Sequence, residues 1–263
     1  MTSTTDRCRL CGSSVHELFS GTIMSRHHVR YFDCARCGLL QTEKPHWLDE
    51  AYAAPINSSD TGILQRNLVL SRITAAVINV FFNRRAKFLD YAGGFGIFVR
   101  LMRDRGFDFY WEDPHAPNLL ARSFDRGRLG AHQVELVTSF ESFEHFVDPV
   151  AELDRMLSQT ETILLSTLLA PETAPGLDRW WYYGTEHGQH ISFYRARTLR
   201  HLAAQRGLYV CTNGRNVHLL SRKPIAGWRF NLAVASAYIG LSEVLRPLTR
   251  SRTLSDATDL GSK

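Results

Sequence analysis

Between residues 86 and 223 the spacing of apolar positions changes back and forth between two periods. Short apolar runs (KFLDY, FDFYW, VELVTSF, TILLST, LYVCT and VHLLSR) read as strands. Segments 97–105, 116–124, 148–158 and 196–206 carry the wider spacing of helices. Such alternation predicts an α/β fold, a doubly wound parallel sheet with helices on both faces. Upstream, residues 44–85 read as a helical lid or linker. Ile63, Leu70, Ile73, Val77 and Val80 fall on one face of a helix in its second half. Residues 1–43 hold only short strands such as VRYFDC. Residues 224–263 read as an apolar C-terminal helix, followed from about Arg250 by a flexible tail.

Composition adds few constraints. The chain has 263 residues with 44% hydrophobic and 22% charged content, ordinary for a globular protein. The polar start MTSTTDRCRL carries no leader pattern, and no run reaches ~18 apolar residues, so a cytoplasmic protein is expected. The net charge of +5 is concentrated at the end: seven cations stand against three acids from Arg222 onward. The core is therefore close to neutral, which argues against a nucleic-acid groove.

The cysteines say more. CRLCG and CARCG place Cys8, Cys11, Cys34 and Cys37 in two C-x-x-C units about twenty residues apart. Two such turns bring four thiolates to one ion and leave no open coordination position. The expectation is a small zinc ribbon over 1–43, with zinc favoured over iron and in a structural role. Gly12 and Gly38 follow the second cysteine of each unit and permit the sharp knuckle. Cys211 reads as a buried small residue.

The stretch FLDYAGGFGIFVRLM decides the cofactor. An apolar run ends in Asp90, and Gly93, Gly94 and Gly96 precede a helical pattern. The third small residue of a dinucleotide fingerprint is absent, because Val99 stands there, and no phosphate-binding lysine follows. A carboxylate beside the turn repels a pyrophosphate and attracts a sulfonium or ammonium. Asp113, at the end of the next strand, stands where an acid takes two ribose hydroxyls. An adenosine joined to a cationic methionine fits these features, which is S-adenosylmethionine.

With these motifs, residues 86–223 resemble the class I S-adenosylmethionine-dependent methyltransferases. The resemblance rests on Asp90-Tyr91-Ala92-Gly93-Gly94-Phe95-Gly96, on Asp113-Pro114 and on FESFEHFVDP after the fourth strand. It implies a Rossmann-like sheet of seven strands with the last antiparallel. It also implies cofactor contacts from Asp90, Ala92, Gly93, Gly94, Gly96, Asp113, Phe140 and Glu141. Ala92 replaces the first glycine of the motif and is expected at negative φ.

The acceptor side falls in RWWYYGTEHGQHISFY, with His190 as candidate base and His187, Glu186 and Tyr183 as further candidates. Aromatic faces there suit ring substrates. QHISFY, together with the N-terminal ribbon, resembles the zinc-containing sugar C-methyltransferases, where glutamate stands in place of Gln189. The expected reaction is methyl transfer to a small molecule, a sugar or polysaccharide-precursor hydroxyl such as one on a nucleotide sugar. C-methylation of a keto-sugar and a non-catalytic zinc-ribbon binding module are the alternatives. Segment 225–247 reads as a packed helix, in contact with the core or a second subunit, or as a membrane-surface helix.

Overall fold

The structure, a computed structural model, describes residues 6–53, 60–130, 133–240 and 250–261. Three strands open the chain: β1 (His16–Ile23), β2 (His27–Asp33) and β3 (Leu40–Thr42). Helices α1 (Leu48–Ala51) and α2 (Ile63–Phe81) follow. Then come β4 (Lys87–Tyr91), α3 (Ile97–Asp104), β5 (Asp108–Glu112), α4 (Arg126–Leu129), β6 (Leu136–Phe140), α5 (Pro149–Leu157) and β7 (Thr162–Ser166). After these lie β8 (Ser192–Phe193), α6 (Ala196–Ala204), β9 (Tyr209–Thr212), β10 (Val217–Ser221), α7 (Gly227–Tyr238) and α8 (Thr253–Gly261).

The larger sheet runs β5-β4-β6-β7-β10-β9. Strands β4, β5, β6 and β7 are parallel, and β10 lies antiparallel to both its neighbours. Among the described residues the sheet thus has six strands where seven were expected. What remains of a further edge strand is one parallel bridge between Trp111 and Asp125. The cause is local: residues 113–125 satisfy their polar groups among themselves. Asp113 accepts from the His115 and Ala116 amides, and Asn118 bonds Ala121 and Asp125. Side chains that bond nearby backbone compete with helix and ladder alike, so the helix expected at 116–124 does not form either.

Both faces of the sheet are covered. Leu89, Val137, Ile163 and Leu165 pack with Leu153, Met156, Leu199 and Leu202 of α5 and α6. On the other face Phe88, Leu136, Leu164 and Leu219 meet Phe98 and Met102 of α3 and Ile73 and Val77 of α2. Leu70, Ile73 and Val77 are buried as the periodicity predicts, whereas Val80 is exposed. Helix α7 covers α2 with Phe230, Ala233, Val234 and Ala237, at helical spacing. Its opposite face leaves Trp228, Leu232 and Tyr238 exposed, and residues 241–247 of the segment lie outside the described ones. The stretch expected to be a flexible tail carries α8. Asp256 in α8 bonds Arg103 twice, at 2.7 Å, and Arg100 at 2.8 Å. Among the described residues no helix is long and apolar enough to cross a membrane.

A second, antiparallel sheet runs β1-β2-β3-β8. Its last strand comes from the segment after β7, far along the chain. Arg195, 1% exposed, fixes that junction by donating to Asp33 and to the carbonyls of Gly38 and Pro171. Arg9 bonds the Ile191 and Thr42 carbonyls from the other side.

Candidate active site

Strand β4 delivers Asp90 into the sheet's interior, where it is 3% exposed and accepts a 2.6 Å bond from Thr138 Oγ1 on β6. Burial, offset in part by that bond and aided by the Asp113 charge, pushes its pKa up to about 7. A cation arriving nearby would favour its ionised form.

The turn after β4 is held from β5. Trp111 Nε1 donates to the Gly94 carbonyl and the Gly94 amide donates to Asp113 Oδ2, each at 2.8 Å. The second oxygen of Asp113 accepts the His115 and Ala116 amides. The carboxylate is thereby fixed beside the glycine turn, at the carboxyl edge of the parallel strands, where α/β sheets bind ligands. A Cβ at Gly93 would lie 2.8 Å from Asp90 Oδ2, so close approach demands glycine there. Gly96 combines φ +83° with a Cβ position 2.9 Å from Asn118 Oδ1. Ala92, expected at negative φ, instead sits at φ 57°. The left-handed conformation costs a non-glycine residue about 1–2 kcal/mol.

Strand β6 ends at Phe140, whose ring meets Phe98 edge-on at 4.9 Å. Glu141 follows at φ 48°, its amide donating to Ser166 Oγ and its carboxylate accepting from the same hydroxyl at 2.6 Å. Burial raises the Glu141 pKa. The next turn, Phe143–His145, buries Glu144 completely. Tyr182 Oη donates to Glu144 Oε1 at 2.6 Å, while Oε2 is buried with no partner among the described residues. Burial first, then the neighbouring Glu141 charge, lifts the Glu144 pKa to about 8.

His190 Nδ1 lies 2.7 Å from the Tyr182 carbonyl, and His145 Nδ1 lies 3.2 Å from the Gln189 carbonyl. A carbonyl only accepts, so each Nδ1 carries the hydrogen and each Nε2 keeps its lone pair. Burial lowers the His145 pKa to about 4 and holds His190 well below its usual value. Both imidazoles are neutral near pH 7, and their ring centroids stand 4.8 Å apart. Tyr52 Oη, at the end of α1, lies 3.0 Å from His145 Nδ1. Arg66, held bidentately by Asp60, adds positive charge that acts on Glu141, Glu144 and both imidazoles.

The residues anticipated on the acceptor side separate in space. His187 stacks edge-on to His190 at 4.8 Å and accepts the Gln189 amide at Nδ1. Glu186 is exposed. Tyr183 does not join them: its hydroxyl donates to the Pro175 carbonyl and its ring packs among Tyr31, Phe19 and Phe193. Gln189 is buried and donates to the Ala51 carbonyl. Sequence reasoning missed Thr138, Trp111 and Tyr182 as partners of the site. Glu144 and His145 were noted only as part of the FESFEHFVDP motif. Two acids and a histidine within five residues, ESFEH, were the available signal.

In the ribbon, Gly12 and Gly38 close the two knuckles at φ 69° and 80°, their amides donating to the Cys8 and Cys34 carbonyls. The sulfurs of Cys8 and Cys37 are 3.4 Å apart and those of Cys11 and Cys34 3.5 Å. A disulfide needs about 2.05 Å, so all four thiols are free. Zinc–sulfur bonds of ~2.3 Å in a tetrahedron put sulfurs about 3.8 Å apart, close to this arrangement.

A parallel-stranded sheet with an antiparallel strand, a glycine turn and an acid at the next strand's end define a Rossmann-like methyltransferase fold. Residues 65–213, more than half of the chain, match the family described as "Methyltransferase domain". The chain belongs to that family and is an S-adenosylmethionine-dependent methyltransferase. No curated protein sequence matches it significantly. Solved structures similar to it include magnesium protoporphyrin IX methyltransferase (ChlM) from Synechocystis PCC 6803 with bound S-adenosylmethionine. That chain is 14% identical with a TM-score of 0.43, the alignment covering 68% of this chain and 93% of that one. Plantazolicin methyltransferase BpumL with bound S-adenosylhomocysteine is 11% identical, TM-score 0.44, with 62% and 86% covered. TnmH is 16% identical, TM-score 0.45, with 68% and 62% covered.

Proposed function

We propose that the protein transfers the methyl group of S-adenosylmethionine to a hydroxyl of a small molecule, of the sugar or sugar-precursor class. The observation that carries this reading is the pairing of two halves on one rim. Gly94 and the fixed Asp113 carboxylate form a nucleoside seat. Glu144, His145 and His190 gather after the neighbouring strand β6 and in the loop before β8. Asp113 takes the ribose hydroxyls, and Asp90 with the turn at Ala92, Gly93, Gly94 and Gly96 holds the methionine end. Phe140 and Glu141 line the adenosine side.

Displacement at a sulfonium has a good leaving group, so alignment and water exclusion do most of the work. The acceptor proton must still go somewhere. His190, neutral and with its Nε2 lone pair set by the Tyr182 carbonyl, is the proton acceptor of a metal-free reaction. C-methylation is less well supported, because Gln189 is committed to Ala51 and leaves no carboxylate at that position. The ribbon's four thiolates hold one structural zinc, in keeping with a reducing, cytoplasmic setting.

Calorimetric titration with S-adenosylmethionine and with NAD tests the seat: the first binds and the second does not. A radiolabelled-methyl screen against nucleotide sugars tests the acceptor class. NAD binding in place of the sulfonium would overturn the cofactor assignment, and label on none of the sugars would overturn the acceptor assignment.

A further inference from the structure

We infer that Glu144, His145 and His190 form a binding site for one divalent cation of the zinc, manganese or iron(II) kind, separate from the cysteine ribbon. One carboxylate oxygen and one nitrogen from each imidazole all lie within 4.8 Å of one another. Metal–ligand bonds of ~2.1 Å bring such atoms together after side-chain adjustment of about 1 Å.

Three observations turn this cluster from a coincidence into a site. First, Glu144 Oε2 is wholly buried and unpartnered among the described residues, an expensive state that a cation would relieve. Second, the Gln189 and Tyr182 carbonyls each engage the Nδ1–H of one imidazole and leave its Nε2 with a lone pair, the kind of second contact that metal-binding histidines use. Third, the two segments are tied together, because the Ile191 amide donates to the Glu144 carbonyl at 2.8 Å. Two imidazoles and one carboxylate suit these cations and leave coordination positions open.

The inference rests on the methyltransferase reading of the same rim and changes His190 from base to ligand. An acceptor hydroxyl bound to the ion loses its proton to solvent more readily. The resulting alkoxide attacks the sulfonium methyl; the O–CH3 bond forms, the S–CH3 bond breaks, and its electron pair goes to sulfur.

The test uses the full chain with its ribbon metal retained, titrated with manganese chloride and, separately, with zinc chloride. One equivalent should bind beyond the ribbon's ion. His190→Ala and Glu144→Gln should each weaken that binding at least tenfold, with S-adenosylmethionine affinity kept as the check on folding. His145→Ala serves if the Glu144 variant fails to fold. Chelation should abolish transfer and manganese restore it. No equivalent beyond the ribbon's ion, or variants that bind metal as tightly as wild type, overturns the site. Metal binding without S-adenosylmethionine binding would instead sink the methyltransferase reading and leave the cation site standing.

Discussion

Asp90 carries an opposition between solvation and charge that should be visible in stability. Its pKa is raised from 3.8 to about 7, so the folded state holds a proton that the unfolded chain has released across that interval. The contribution to stability is full below pH ~4 and is lost as pH rises through about 7, on the order of 4 kcal/mol in all. Asp90→Asn keeps an oxygen for Thr138 and removes the titration. Without cofactor, urea denaturation across this window should show a smaller fall of stability with pH in the variant, and parallel curves would refute the assignment. The glycine turn makes a second, steric prediction. Gly96→Ala adds a Cβ 2.9 Å from Asn118 Oδ1 and 3.0 Å from the Ala121 amide in a left-handed backbone. It should destabilise by more than about 1 kcal/mol. Ala92→Gly relieves strain at φ 57° against a loss through unfolded-chain entropy. It should be neutral to about 1 kcal/mol stabilising, with cofactor affinity intact; equal effects of the two substitutions in denaturation would contradict this account.

Helix α8 shows how one side chain can determine an element's fate. Asp256 is 3% exposed and faces Arg103, 2% exposed, which also bonds Asp108 and the Phe109 carbonyl. Asp256→Ala leaves a buried guanidinium short of its best partner, which costs about 3–5 kcal/mol in comparable cases. A melting temperature unchanged by that substitution would show the docking to be incidental. From sequence the terminal stretch read as loose because only its own polarity was visible; its partner lies some 150 residues earlier. The strands β4 to β7, the glycine turn and the cysteine knuckles were legible, while α4 and the truncated strand edge were not. Strand periodicity and knuckles are local signals. Tyr183 facing the ribbon and Gln189 binding Ala51 are settled by distant neighbours, whereas Asp113 and Asn118 cap their own loop through short-range side-chain bonds that periodicity does not register.

The ribbon and the large sheet share a segment of chain, and this bears on how the molecule unfolds. Strand β8 is the edge of the ribbon sheet, yet it lies between β7 and α6 in sequence, beside the loop that carries His187 and His190. Trp47 Nε1 donates to the Gly188 carbonyl, and Arg9 and Arg195 bind across the same junction. Detaching the ribbon would break the bonds that buried Arg195, half-buried Arg9 and buried Trp47 make across that junction. Calorimetry should therefore show one transition for ribbon and core. Saturation with S-adenosylmethionine at a hundredfold over Kd adds about 2.7 kcal/mol to the native state. For a chain of this size that should raise the single transition by roughly 5–10 °C. Stripping the metal proposed for the four cysteines should lower the same transition instead of splitting off a second. A separate low-temperature transition that ignores the cofactor would mean that the ribbon folds alone, and the shared strand would then be a contact without energetic weight.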